Sequence, residues 1–185
     1  MWTLPNILTL ARIVMIPLFV VCFYLPYAHS AIVAAVVFGL AAITDWLDGY
    51  LARKLRQTSP LGAFLDPVAD KLMVAVVLVV LLQSRPEVWL ALPVAVIIGR
   101  EIAVSALREW MAQVGSRAKV AVSWLGKAKT ALQMLALVTM TAGSAEIFTA
   151  NLYLSGVAML YLATVLTLWS MIEYLILAWP ELSRQ

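Results

Sequence analysis

The sequence predicts an all-α integral membrane protein of six transmembrane helices, with both termini in the cytoplasm. Three observations lead there. The chain has 185 residues, a mean hydropathy of +0.96 and only 12% charged residues. That balance does not fit a water-soluble domain of this size. Its apolar residues fall into six runs, each close to the roughly 20 residues that a spanning helix needs. Lysine and arginine, finally, crowd into alternate connections, as they do in cytoplasmic loops.

The first run covers about 7–26 and stops at the turn residues LPYAHS. The second, 31–52, ends before RQTSP at 56–60, and the third, 61–83, ends in QSRPE at 83–87. A fourth spans 88–112, before GSR at 115–117; a fifth spans 120–143, before AGSAE at 142–146; the sixth runs from 150 to 178. Proline, glycine and small polar residues cannot continue an apolar helix cheaply, so they mark its ends. Arg53, Lys54 and Arg56 follow the second run, and Arg108, Arg117, Lys119, Lys127 and Lys129 surround the fourth-to-fifth connection. Arg85 is the exception on the other side. The positive-inside rule therefore turns 53–60 and 113–119 toward the cytoplasm. Six spans leave no room for a second domain, so residues 1–185 are expected to form one membrane domain.

Other features set limits. Cys22 is the single cysteine, so it forms no intramolecular disulfide and reads as a small apolar core residue. His29 falls in a connection on the outer side, where a solvated role is expected. No basic stretch precedes the first apolar run and Arg12 interrupts it, so no cleaved signal peptide is expected. A net charge of +3 is modest. It fits anionic lipid or phosphate ligands, and no nucleic-acid partner is expected. Trp2, Trp110, Trp124 and Trp179 near one interface, and Trp89 near the other, read as an aromatic belt.

The chemistry concentrates in DWLDGYLARKLRQTSPLGAFLDPVADK, residues 45–71, which holds all four aspartates of the chain. Carboxylates in or beside lipid are costly and mark function by default. Asp45 and Asp48 are three apart and Asp66 and Asp70 four apart, so each pair shares a helix face. Four carboxylates aimed at one small volume cannot all stay ionised without cations. Hard oxygen ligands suit Mg²⁺, Mn²⁺ or Ca²⁺, and with one histidine and one cysteine a zinc site is not expected. Gly49 and Ala52 keep the face beside Asp48 small. Arg53 offers a planar fork for phosphate oxygens. Gly62 precedes Asp66 by one turn, and Pro67 is expected either to kink the third span or to sit in a first helical turn. The blander alternatives are helix-end charges paired with Arg53, Lys54 and Lys71, or aspartates lining an ion path.

Written out, the pattern is Asp45-x-x-Asp48-Gly49-x-x-Ala52-Arg53, eight residues, then Gly62-x-x-x-Asp66-x-x-x-Asp70. It resembles the signature of the CDP-alcohol phosphatidyltransferase family, with every fixed position filled. PNILTLARIVMIP at 5–17, FLDPVADKL at 64–72, GREIAVSALRE at 99–109 and SWLGKAKTALQM at 123–134 look most like the bacterial branch that makes phosphatidylglycerol phosphate.

The resemblance implies a six-helix bundle, commonly a homodimer, with two divalent cations (Mg²⁺ or Mn²⁺) at a site facing the cytoplasm of a bacterial inner membrane. It implies that glycerol 3-phosphate attacks CDP-diacylglycerol at the phosphorus bearing the diacylglycerol, releasing CMP. Carried over by position, Asp45, Asp48, Asp66 and Asp70 hold the metals, and Asp70 also accepts the hydroxyl proton. Gly49, Ala52, Arg53 and Gly62 shape the CDP pocket. A dianionic acceptor needs cations of its own, and Arg108, Lys127 and Lys129 are expected there, with Arg117 and Lys119 as further candidates. Arg100 is instead expected to be balanced by Glu101 or Glu109. Asn6, Thr9 and Arg12 are expected at the cytoplasmic mouth, and Glu173 is given no chemistry. Competing readings keep the chemistry and change the acceptor (inositol phosphate, serine or phosphatidylglycerol), or change the class to a prenyltransferase or a divalent-cation transporter.

Overall fold

The computed structural model describes residues 4–55, 60–114, 124–148 and 150–182. Those residues form six helices: α1 Leu4–Tyr24, α2 Ser30–Leu55, α3 Pro60–Ser84, α4 Val88–Gln113, α5 Trp124–Gly143 and α6 Ala150–Leu182. Each apolar run becomes one helix, with ends a few residues from those expected. Pro60 opens α3, and Pro67 lies well inside it rather than in its first turn. There it leaves the carbonyl of Ala63 without its usual helical donor.

Three of the helices are long and apolar enough to cross a membrane, over Asn6–Tyr24, Val88–Gln113 and Ala150–Trp179. The apolar part of α2 is shorter, Ser30–Asp45. Its far end is where the aspartate motif starts. Outward-facing residues are apolar on every helix: Val14, Ile43, Val79, Ile102, Leu135 and Ile176 are all exposed. Polar residues are drawn inside instead, with Arg12, Arg100, Lys129 and Gln133 buried. A water-soluble bundle does the reverse, so the surface reads as one solvated by lipid.

All six helices contribute to one core. Phe19, Phe38, Leu78, Ile97, Leu137, Met140, Tyr153 and Leu160 meet there. Phe19 stacks on Phe23 and meets Phe38 edge-on, with ring centroids 6.0 and 6.3 Å apart. A second, smaller cluster joins Val104 and Met111 of α4 to Tyr174 and Ala178 of α6. The most extensive pairings are α5 with α6 and α1 with α2, each a hairpin closed by a short connection. The α5–α6 pair is close because glycine allows it. A Cβ on Gly156 would fall 2.8 Å from the backbone nitrogen of Met140, and one on Gly143 would fall 2.6 Å from that of Tyr153.

Alternation of the helices sorts the polar groups by end. The starts of α1, α3 and α5 lie with the finishes of α2, α4 and α6, as Arg12–Asp45, Thr9–Asp66 and Lys129–Ser170 contacts require. Different pairs fix the opposite end. Tyr24 donates to Gln83 at 2.7 Å, Tyr161 donates to the carbonyl of Trp89, and Arg85 stacks over the Tyr153 ring at 4.1 Å. Of the expected belt, Trp89 stands exposed at this end, with Trp110 and Trp179 toward the other. Trp2 lies outside the described residues, and so does the side chain of Trp124.

Candidate active site

The aspartate end contains two adjoining groups of polar residues. Asp45 and Asp66 define the first. Asp45 sits near the finish of α2, and the Arg12 guanidinium from α1 reaches it at 2.8 Å. Arg12 is only 1% exposed and Asp45 is 39% exposed, so the carboxylate lies at the rim with its partner beneath. Thr9, one helical turn before Arg12, donates its hydroxyl to Asp66 Oδ1. The carboxylates of Asp45 and Asp66 stand close enough to repel each other. Residues 9 and 12 of α1 thus hold one carboxylate on each of two neighbouring helices. Asn6, a turn earlier, is also buried.

These positions offer hard oxygen donors, which fits Mg²⁺ or Mn²⁺. The mutual repulsion of Asp45 and Asp66 is the condition a divalent cation would relieve. Among the described residues, no three carboxylate, histidine or cysteine side chains are gathered into one ligand set. The positions of Asp48, Gly49, Ala52 and Arg53 fall within α2, but their side chains lie outside the described residues. Gly62 is buried at the start of α3.

Asp70 faces the second group. A cavity of about 240 Å³ is lined by Asp70 and Lys71 of α3, Arg100, Glu101 and Arg108 of α4, and Lys129, Thr130 and Gln133 of α5. Four of those side chains are cations and two are carboxylates, an excess of two positive charges. Arg100 is 5% exposed; its Nη1 meets Glu101 at 2.6 Å and its Nη2 donates to Ser170 Oγ at 2.9 Å. Lys129, also buried, donates to the same Ser170 oxygen at 2.8 Å. Arg108 donates to the Tyr174 hydroxyl at 3.0 Å and lies over its ring at 5.0 Å. The Nε–H groups of both arginines are buried and meet no protein acceptor among the described residues. The excess of positive charge on the lining of this cavity fits an anion with several oxygens.

Of the acceptor cations expected from sequence, Arg108 and Lys129 line this cavity. Lys127 belongs to α5, with its side chain outside the described residues, and Arg117 and Lys119 lie outside them altogether. Arg100 does pair with Glu101 as expected, and it also lines the cavity. Sequence reasoning counted it among the available cations but favoured the pairing. It passed over Ser170 and Tyr174 of α6 entirely. The one local signal for them is a line of small or hydroxylated residues, Thr164, Thr167, Ser170 and Tyr174, at helical spacing in an apolar helix. Glu173, beside them, accepts from Trp169 Nε1 at 3.0 Å and faces outward to that ring.

Residues 2–169 match the family described as CDP-alcohol phosphatidyltransferase. A protein of Pseudomonas fluorescens is 57% identical across 97% of this chain and 91% of its own length. One from Sodalis glossinidius (strain morsitans) is 53% identical across 97% and 96%, and one from Salmonella typhimurium is 48% identical across 100% and 99%. All three carry the name CDP-diacylglycerol–glycerol-3-phosphate 3-phosphatidyltransferase. With the aspartate motif complete and the match running over nearly the whole chain, this protein belongs to the CDP-alcohol phosphatidyltransferase family.

Proposed function

We propose that the protein transfers the phosphatidyl group of CDP-diacylglycerol to sn-glycerol 3-phosphate, giving phosphatidylglycerol phosphate and CMP. One observation carries the choice of acceptor. The cavity that joins Asp70 to Arg100, Arg108 and Lys129 has two positive charges in excess, which matches a phosphate dianion. Relatives at 48–57% identity bear the name of that reaction.

The division of labour follows from position. Asp45, Asp48, Asp66 and Asp70 would hold two divalent cations, Mg²⁺ or Mn²⁺, which supply charge neutralisation at the diphosphate of the donor. Arg53 binds diphosphate oxygens, and Gly49, Ala52 and Gly62 leave room for the cytidine end. Arg108 and Lys129, joined by Arg100, bind the phosphate of the acceptor; Lys127, Arg117 and Lys119 are further candidates. Its primary hydroxyl, at the end opposite the phosphate, then points toward Asp70. Asp70 accepts the hydroxyl proton as the oxygen bonds to the phosphorus bearing diacylglycerol. The bond from that phosphorus to the CMP oxygen breaks, and CMP leaves with the electron pair.

Further expectations belong to the same reading. All six helices cross a bacterial inner membrane, both termini and the aspartate end face the cytoplasm, and two copies form a homodimer. The apolar exterior over buried polar groups supports insertion in a membrane, and the lysines and arginines of 53–60 and 113–119 support that orientation. Acceptor competition tests the central choice. CMP release by the purified protein should saturate with glycerol 3-phosphate and not with inositol phosphate, serine or phosphatidylglycerol. Preference for any of those three would reassign the acceptor.

A further inference from the structure

Three cations of the acceptor cavity converge on one face of α6. Arg100 Nη2 and Lys129 Nζ both donate to Ser170 Oγ, at 2.9 and 2.8 Å. One turn later the Tyr174 hydroxyl takes Arg108 Nη2 at 3.0 Å. Residues four apart share a helix face, so a single surface of α6 sets the position of three charges carried by α4 and α5.

The chemistry at Ser170 is unusual for a site built only to hold helices together. Its oxygen accepts from two cations and donates its own proton to the carbonyl of Thr167 at 3.0 Å, which uses its whole capacity. The oxygen is neutral, and the residue is 2% exposed. Two like charges are therefore brought to one point with no counter-charge from the group that holds them. Buried cations are ordinarily paired with carboxylates. Glu101 serves Arg100, but among the described residues Lys129 meets no carboxylate. The excess of positive charge among the described residues of the cavity is left for an anion that enters it.

We infer that Ser170, assisted by Tyr174, is the positioning residue that sets the acceptor-phosphate subsite: it aligns Arg100 and Lys129 without neutralising them, so that a phosphate dianion meets both at once. The inference rests on the proposed use of a phosphorylated acceptor. It predicts that α6, which contributes no charge to the cavity, determines how well the phosphate is bound.

The test uses purified full-length protein and measures KM separately for each substrate, with thermal midpoints alongside. Ser170→Ala is expected to raise the KM for glycerol 3-phosphate about tenfold, the size of effect for losing a hydrogen bond to a charged group. The KM for CDP-diacylglycerol should stay near the wild-type value, while the two buried donors left without Ser170 Oγ should lower the thermal midpoint by about 2–12 °C. Ser170→Thr keeps the oxygen and should restore most of the acceptor affinity. Ser170→Asp satisfies both cations internally, so it should abolish saturation by glycerol 3-phosphate in a protein at least as heat-stable as wild type. Tyr174→Phe should raise the acceptor KM about threefold, and it carries the test if Ser170→Ala does not accumulate as folded protein. An unchanged acceptor KM in Ser170→Ala, or equal rises for both substrates, would overturn the inference. Should the wild type release no CMP with glycerol 3-phosphate, the proposed function fails, and inorganic phosphate becomes the probe. Heat protection by phosphate that Ser170→Asp removes would then sustain the subsite, and no protection of the wild type would end it.

Discussion

Gly156→Ala offers a quantitative test of how α5 and α6 are joined. The added Cβ would lie 2.6 Å from Met140 Cγ, 2.8 Å from the Met140 backbone nitrogen and 3.1 Å from the carbonyl of Ala136. The Met140 side chain can swing aside, but the backbone of α5 cannot. Relief requires α6 to back away from α5, loosening the packing of Ala136, Met140, Val157 and Leu160 in the core. Overpacking of this kind costs about 1–3 kcal/mol. At about 2–4 °C per kcal/mol for a chain of this length, the thermal midpoint should fall by roughly 2–12 °C. Gly39 supplies the control, since a Cβ there meets nothing within 4 Å. Alanine is the better helix former by about 0.5–1 kcal/mol, so Gly39→Ala should hold or raise the midpoint. Circular dichroism melts of both variants in one detergent make the comparison. A Gly156→Ala midpoint equal to the wild type, with Gly39→Ala behaving alike, would refute the close approach of the two helices.

Three further substitutions probe the chemistry. Asp70→Asn should lower kcat by about 10²–10⁴-fold, the usual contribution of a general base, while CDP-diacylglycerol still binds; a loss of donor binding as large as the loss of turnover would remove Asp70 from that role. Arg108→Ala should raise the KM for glycerol 3-phosphate at least about tenfold and the KM for CDP-diacylglycerol far less, and equal effects on both would mark the arginine as structural. Thr9→Val deletes the hydroxyl donated to Asp66 and should weaken Mn²⁺ binding, read by electron paramagnetic resonance, about 10–100-fold; unchanged Mn²⁺ affinity would show that Asp66 needs no support from α1.

The helices were legible in the sequence because each apolar run ends in residues that break a helix, and a run long enough to span reads the same in any context. The helix positions of the aspartates were legible too, since spacings of three and four put each pair on one face of its helix, with the side chain of Asp48 outside the described residues. What stayed hidden depends on residues distant in the chain. Thr9 and Asp66, Arg100 and Ser170, and Lys129 and Ser170 are separated by 57, 70 and 41 positions. No local period links them. A serine in an apolar span can bond to its own helix, as Thr164 does to the carbonyl of Leu160, so its identity alone does not reveal a cross-helix role. Arg100 shows the same limit from the other side: its neighbour Glu101 accounts for its charge locally, and only the packing of α4 on α6 brings its remaining donors to the cavity.

The central claim is metal-dependent transfer of phosphatidyl to glycerol 3-phosphate at the aspartate end of the bundle. Its most direct test is CMP release by purified protein given CDP-diacylglycerol and glycerol 3-phosphate, with Mg²⁺ or Mn²⁺ and then with excess EDTA. Release that requires both substrates, stops with EDTA and resumes on restoring the metal is the predicted result. A folded protein that releases no CMP under any of these conditions, or releases it equally well in EDTA, would contradict the account.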